Sequence, residues 1–249
     1  MAGNPITELE QDHWGKIMDL KRKIPPLALF IALAAFFAGC ASSNPTIDTS
    51  PEADVTFDGL HPIKGGTADA AWARPGADIS QYSKIMLQGV GIEYRPGGET
   101  GRLYRPGSGD DYFEITDKQK EKFEEILREA FLKELGASEH FTIVDEPGPD
   151  VLLIRGGLLD VVSYVPPEPM GRTEIFLSRV GEATLVLEIR DSISEAIIAR
   201  AVDRRAAENV ARGFSRSNPV MNRAEVRRMA SAWARLLRER LDSYAAPAE

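Results

Sequence analysis

The stretch Val151–Val165, VLLIRGGLLDVVSYV, decides the fold. It reads as one long, largely apolar strand, and a strand with so little polar relief belongs at the centre of a sheet. PGPD at 147–150 supplies the turn that leads into it, and Phe141–Val144 reads as a short strand before that turn. Downstream, Glu182–Arg190 alternates cleanly. Ala183, Leu185, Leu187 and Ile189 fall on one face, and Glu182, Thr184, Glu188 and Arg190 on the other. Ile197–Asp203 pairs with it as a hairpin across SISE, residues 192–195.

Two helices flank this sheet. Residues 117–135 place Phe123, Ile126, Leu127, Ala130, Phe131 and Leu135 on one face at helical spacing. Thr116 and Gln119 fit a capping box at its start, and Gly136 stands where a left-handed turn can end it. A second helix is expected over about 223–244. Its stripe runs through Val226, Met229, Ala230, Trp233, Leu237, Leu241 and Tyr244, with Arg227, Arg235 and Arg238 opposite. Upstream lies a strand near Lys84–Tyr94, and before it an irregular segment crowded with turn pairs: Asp58-Gly59, Gly65-Gly66 and Pro75-Gly76. The expected fold is α+β: a two-layer sandwich, mainly an antiparallel sheet of about four to five strands with two long helices on one face.

The N-terminal end obeys different rules. Lys21-Arg22-Lys23 precedes an uncharged apolar run, Pro26–Gly39, of about fourteen residues. That is short for a spanning helix but matches the core of a secretory signal. The run ends in Cys40, the only cysteine of the chain, behind Phe37-Ala38-Gly39. This resembles the bacterial lipobox, with Phe37 where leucine is usual. Residues 1–39 are therefore expected to be a signal peptide, with Met18 the start of its ordinary proportions. Cys40 is expected to carry lipid, and residues 40–55 to form a flexible tether. Residues 56–249 are expected to form one periplasm-facing domain. Ala41, in place of aspartate, favours the outer membrane by the same resemblance.

Composition narrows the function classes. The formal net charge is −8, and the leader carries equal numbers of acidic and basic residues. An acidic surface does not suit nucleic acid, whose binding is driven by lysine and arginine on phosphates. A lone cysteine makes no intramolecular disulfide, and a chain of this length needs none.

Four stretches together carry a family resemblance: FDGLHPIK at 57–64, ARPGADISQYSKIML at 73–87, DEPGPDVLLIRGGLLDV at 145–161, and EATLVLEIRDS with AIIARAVDRRA over 182–206. The chain over about 55–245 resembles a family of bacterial envelope lipoproteins known only as a domain of unknown function. That resemblance implies an address and no chemistry. One departure stands out. The family's hairpin usually has glycine where this chain has Glu195, and a turn needing positive φ is less favourable with a side chain there.

No catalytic constellation is legible. His61 and His140 are far apart in sequence and have no neighbours at metal-ligand spacing, so no metal is expected. GVGIEY at 89–94 and GGETGR at 97–102 lack the residues of a phosphate loop, so no cofactor is expected. GFSRS at 213–217 is not a nucleophile elbow. Asp145, Glu146 and Asp150 flank a proline turn, and Asp110 and Asp111 sit in a loop. The strongest surface candidate is the loop with YRPG twice, where Tyr94, Arg95, Tyr104 and Arg105 could hold an envelope protein or a glycan. VPPEPMGR at 165–172 is a second such loop. The expected function is a lipid-anchored, non-catalytic binding or assembly factor. The alternatives are an envelope-polymer hydrolase using acids from 110–114 or 145–150, and a structural lipoprotein without a specific ligand.

Overall fold

The computed structural model describes residues 45–96, 112–166, 174–208 and 213–245. The strands are β1 (Thr46–Ile47), β2 (His61–Lys64), β3 (Ala70–Ala73), β4 (Lys84–Tyr94), β5 (Thr142–Ile143), β6 (Val151–Ser163), β7 (Phe176–Leu177), β8 (Arg179–Asp191), β9 (Ile197–Glu208) and β10 (Ser215–Arg216). Two helices are described, α1 (Asp117–Leu135) and α2 (Pro219–Ala245). Eight strands form one mixed sheet in the order β1-β2-β3-β9-β8-β6-β4-β5, and β7 pairs with β10 in a separate ribbon.

This overturns the expected two-layer sandwich with an antiparallel sheet of four to five strands. Two physical reasons account for the difference. First, β4 runs parallel to both β5 and β6. The chain leaves β4, crosses through α1 and re-enters the sheet in the same direction, as a helical crossover requires. Second, the segment read as irregular contributes β2 and β3, and the stretch read as tether contributes β1. These strands are two to four residues long. Alternation cannot announce a strand so short, and their stability comes from pairing: Ala70–Ala73 aligns with Ala199–Val202 of β9.

The long elements follow from their own patterns. Along β8 the alternation holds: Ala183, Leu185 and Leu187 are buried. They meet Ile85, Leu152, Ile154 and Leu158 from the neighbouring strands, and Met229, Trp233, Leu237 and Leu241 from α2. A buried leucine or isoleucine of this kind contributes about 1.5–3 kcal/mol. Ile126, Ala130 and Leu135 are the buried residues of α1, and it packs along α2, whose Ala230 and Ala234 are fully buried. At the start of α1 the Gln119 side chain accepts from the Thr116 amide at 2.8 Å. At its end Gly136 is not left-handed but keeps φ −68°. Glycine is needed there for room, since a Cβ would meet the Leu132 carbonyl oxygen at 2.8 Å.

The hairpin between β8 and β9 resolves the glycine departure. Glu195 itself takes the left-handed conformation, at φ 56°. Asp191 organises the turn. Its Oδ1 accepts from the amides of Ile193 (3.1 Å) and Ser194 (2.7 Å), and its Oδ2 accepts from the Tyr82 hydroxyl at 2.9 Å. Local bonds to Asp191, whose carboxylate the distant Tyr82 hydroxyl also holds, thus support a turn that Glu195 disfavours.

Candidate functional site

The face of the sheet opposite the α2 contact carries the residues that β8 and β9 turn away from the core. Register places Val186 beside Gly157 on β6 and Val202 on β9. Val90 lies over Gly157 so closely that a Cβ there would meet Val90 Cγ2 at 2.8 Å. Leu159 is opposite Thr184 on the same face. Val90 and Leu159 are 55 % and 45 % exposed, an apolar centre left open to solvent.

Ionic clusters bound this centre along the strands. On one side Glu188 sits opposite both Arg155 and Arg200. Its Oε1 accepts from Arg200 Nε (3.1 Å) and Nη2 (2.9 Å), and its Oε2 from Arg190 Nε (3.0 Å) and Nη2 (2.6 Å). Arg200 Nη2 also reaches Asp58 Oδ2 at 2.7 Å. On the other side Arg204 bridges Asp160 (2.8 Å) and Glu182 (2.5 Å). Arg95 closes on Asp160 as a fork, through Nε to Oδ1 at 2.6 Å and Nη2 to Oδ2. The guanidinium of Arg95 stacks on Tyr112 at 5.2 Å, and that of Arg179 on Tyr164 at 4.5 Å. Asp160 occupies a β-bulge in the left-handed region, at φ 55°. Such strain persists only where surroundings over-determine it, and here two arginines do so.

Charge is the notable property of this face. Arg95, Arg155, Arg179, Arg190, Arg200 and Arg204 outnumber Asp58, Asp160, Glu182 and Glu188, in a chain of net charge −8. Arg155 keeps its Nε buried with no hydrogen-bond partner among the described residues. Arg95 and Arg204 hold the Asp160 carboxyl below its ordinary range. Burial would raise Glu182 and Glu188, but the hydrogen bonds from Arg204, and from Arg190 and Arg200, hold both below it. Carboxylates kept ionised in this way can orient and bind, and are poorly suited to donating a proton near neutral pH.

The pleat separates two residues that the sequence grouped together. Arg95 joins the ionic rim, whereas Tyr94 turns to the α1 side. There its ring meets Phe123 edge-on at 6.4 Å and Lys120 Nζ lies 5.5 Å away. Its hydroxyl is buried without a hydrogen-bond partner among the described residues, and burial, with the Glu124 charge acting the same way, pushes its pKa up to about 12. Tyr94 lines a groove of about 1010 Å³ with Ile126, Val226 and Met229. Tyr104 and Arg105 lie outside the described residues, as do Cys40, Asp110, Asp111, the GGETGR stretch and 167–172 of the proline-rich loop.

The remaining candidates are dispersed. His61 Nδ1 bonds the Asp48 carbonyl at 2.8 Å, and His140 is exposed. Asp145 and Glu146 are exposed, and Asp150 pairs with Lys84 at 3.0 Å. Among the described residues no three histidine, cysteine, aspartate or glutamate side chains converge as metal ligands. The glycines of GVGIEY are strand glycines, with Gly91 at φ 125° beside a register shift. Sequence reasoning missed Arg155, Asp160 and Arg204. Arg204 was signalled by its alternation with Arg200 along β9, whereas Arg155 and Asp160 stand out only as the two charged residues of the otherwise apolar β6.

No curated protein matches the chain. Among solved structures, it is similar to the PelC dodecamer of Paraburkholderia phytofirmans, at 13% identity over 67% of this chain and 96% of that one, with a TM-score of 0.31. It is also similar to protein XCC0632 of Xanthomonas campestris, at 10% identity over 69% of this chain and 93% of that one, with a TM-score of 0.34. A family model described as "Protein of unknown function (DUF3313)" matches residues 52–237, and the chain belongs to that family.

Proposed function

We propose that this protein is a lipid-anchored lipoprotein of the bacterial envelope, held through Cys40 at the outer membrane and facing the periplasm. Its domain acts as a non-catalytic binding or assembly factor through the polar face of the sheet. The observation that carries the binding role is the anatomy of that face: an exposed apolar centre of Val90 and Leu159 between arginine-rich ionic clusters. Protein interfaces combine an apolar core, a polar rim and enriched arginine. Support for the anchor is the basic triplet, the short apolar run and the single cysteine behind small residues.

Two experiments test this. Cells fed a clickable palmitate analogue should label the full chain and not Cys40→Ser, and the unlabelled variant should keep its leader. Labelling that survives Cys40→Ser would refute the anchor. For the surface, a photo-crosslinking amino acid at Leu159 should yield one discrete envelope adduct that Arg204→Glu abolishes, while the same group at exposed Glu146 should not. Equal adducts at both positions would refute the assignment of this face.

A further inference from the structure

We infer that the helix side of the sheet holds a binding trough for a long-chain fatty carboxylate, distinct from the polar face and independent of the binding role given to it. The trough arises because α2 rests on β8 and β9, while the sheet continues through β3, β2 and β1. Its floor is made of small side chains: Ala71 aligns with Ala201, and Ala73 with Ala199. Ile47 and Ile63, themselves cross-strand partners, bound it on the sheet-edge side, and α2 walls the other. Alanine in four adjacent floor positions leaves space that larger residues would fill. The result is a cavity of about 470 Å³, within the usual range for small-molecule sites and lined mainly by apolar groups.

The charges around it select the head group. Three arginines and two aspartates line the trough. Arg74 is committed to the carbonyls of Ile197 (2.9 Å) and Asp58 (3.1 Å), and Arg200 to Glu188 and Asp58 on the other face. Asp203 is taken by Trp233 Nε1 (2.8 Å) and Arg205 Nε (2.6 Å), and exposed Asp78 accepts the Ser80 amide (2.9 Å). That leaves Arg240, half-buried on α2, with no ion pair among the described residues. An apolar trough with one available guanidinium at its side is complementary to an alkyl chain ending in a carboxylate, which arginine grips through two parallel hydrogen bonds.

The test uses the full chain in isolated membranes, without ATP, so that an added fatty acid stays unesterified. A photo-activatable long-chain fatty acid is crosslinked and the adducts are mapped by peptide mass spectrometry. Label should concentrate on the β3 and β9 peptides carrying Ala71–Ala73 and Ala199–Ala201, and excess palmitate should displace it. Arg240→Gln lies on a helix surface and should fold normally. It should weaken labelling about tenfold, the scale of one lost charge-assisted pair. The methyl ester of the same probe should label wild type as weakly as the acid labels Arg240→Gln. Ala201→Leu should abolish labelling by filling the floor. Label spread evenly over the domain, or acid and ester labelling wild type and Arg240→Gln alike, would overturn the assignment.

Discussion

Asp203→Ala should destabilise the domain by about 3 kcal/mol. Asp203 is 8 % exposed and Trp233 2 % exposed, so their 2.8 Å hydrogen bond joins the sheet to α2 inside the core. Asp203 also accepts from the Asp69 amide at 3.2 Å and from Arg205 at 2.6 Å. Removing the carboxylate leaves the Trp233 indole N–H buried without a partner, which costs about 1–3 kcal/mol. The bonds from the amide of exposed Asp69 and from the partly buried Arg205 together add about 1 kcal/mol. In a domain of this size each kcal/mol moves Tm by about 2–4 °C, so the expected loss is about 6–12 °C. The assay is thermal and urea unfolding of the full chain in mild detergent, followed by far-UV circular dichroism. Trp233→Phe removes the orphan donor, so Asp203→Ala placed on that background should cost about 1–2 kcal/mol less than on wild type. A loss under about 0.5 kcal/mol for Asp203→Ala, or strict additivity in the cycle, would refute the role given to this bond.

Three further outcomes follow from the same geometry. Glu195→Gly should raise stability by about 0.5–1 kcal/mol, since relief of a left-handed side chain outweighs the added freedom of the unfolded chain; a lower urea midpoint would count against the turn described. Tyr94→Phe should be neutral or stabilising by up to about 1 kcal/mol, because the lost hydroxyl is buried with no partner among the described residues; a clear destabilisation in the same melt would show that it has a partner. Asp160, Glu182 and Glu188 are held below their ordinary range, so their contribution is complete above the pKa of the unfolded carboxylates, near pH 4, and is lost as pH falls through the folded values. The urea midpoint should therefore be flat from about pH 7 to 5 and fall below about pH 4, less steeply in Glu188→Gln; an equal slope in that variant would remove Glu188 from the network.

The candidate site was legible only in pieces. The charges of β8 could be assigned to the side away from the core by counting alone, and that side became the polar face, whereas β9 also sends Asp203 and Arg205 to the core side. Counting could not say that Glu188 would be shared by Arg190 and Arg200, or that Asp58, distant in the chain, would complete the cluster. Nor could it separate Tyr94 from Arg95. They look like one motif when adjacent letters are read, but neighbours on a strand point to opposite faces.

Sequence by itself determined the long elements. β4, α1, β6, β8 and the α2 stripe are each announced by periodicity within a dozen or so residues, and periodicity is a property of the local chain. Only tertiary structure decided the sheet's extent and direction. β1, β2 and β3 are too short to hold together without partners, and they exist because β9 offers an edge. β4 and β6 are parallel because α1 must cross between them. Even the hairpin at Glu195 stands against its local preference, held by an aspartate and a tyrosine that the fold brings together.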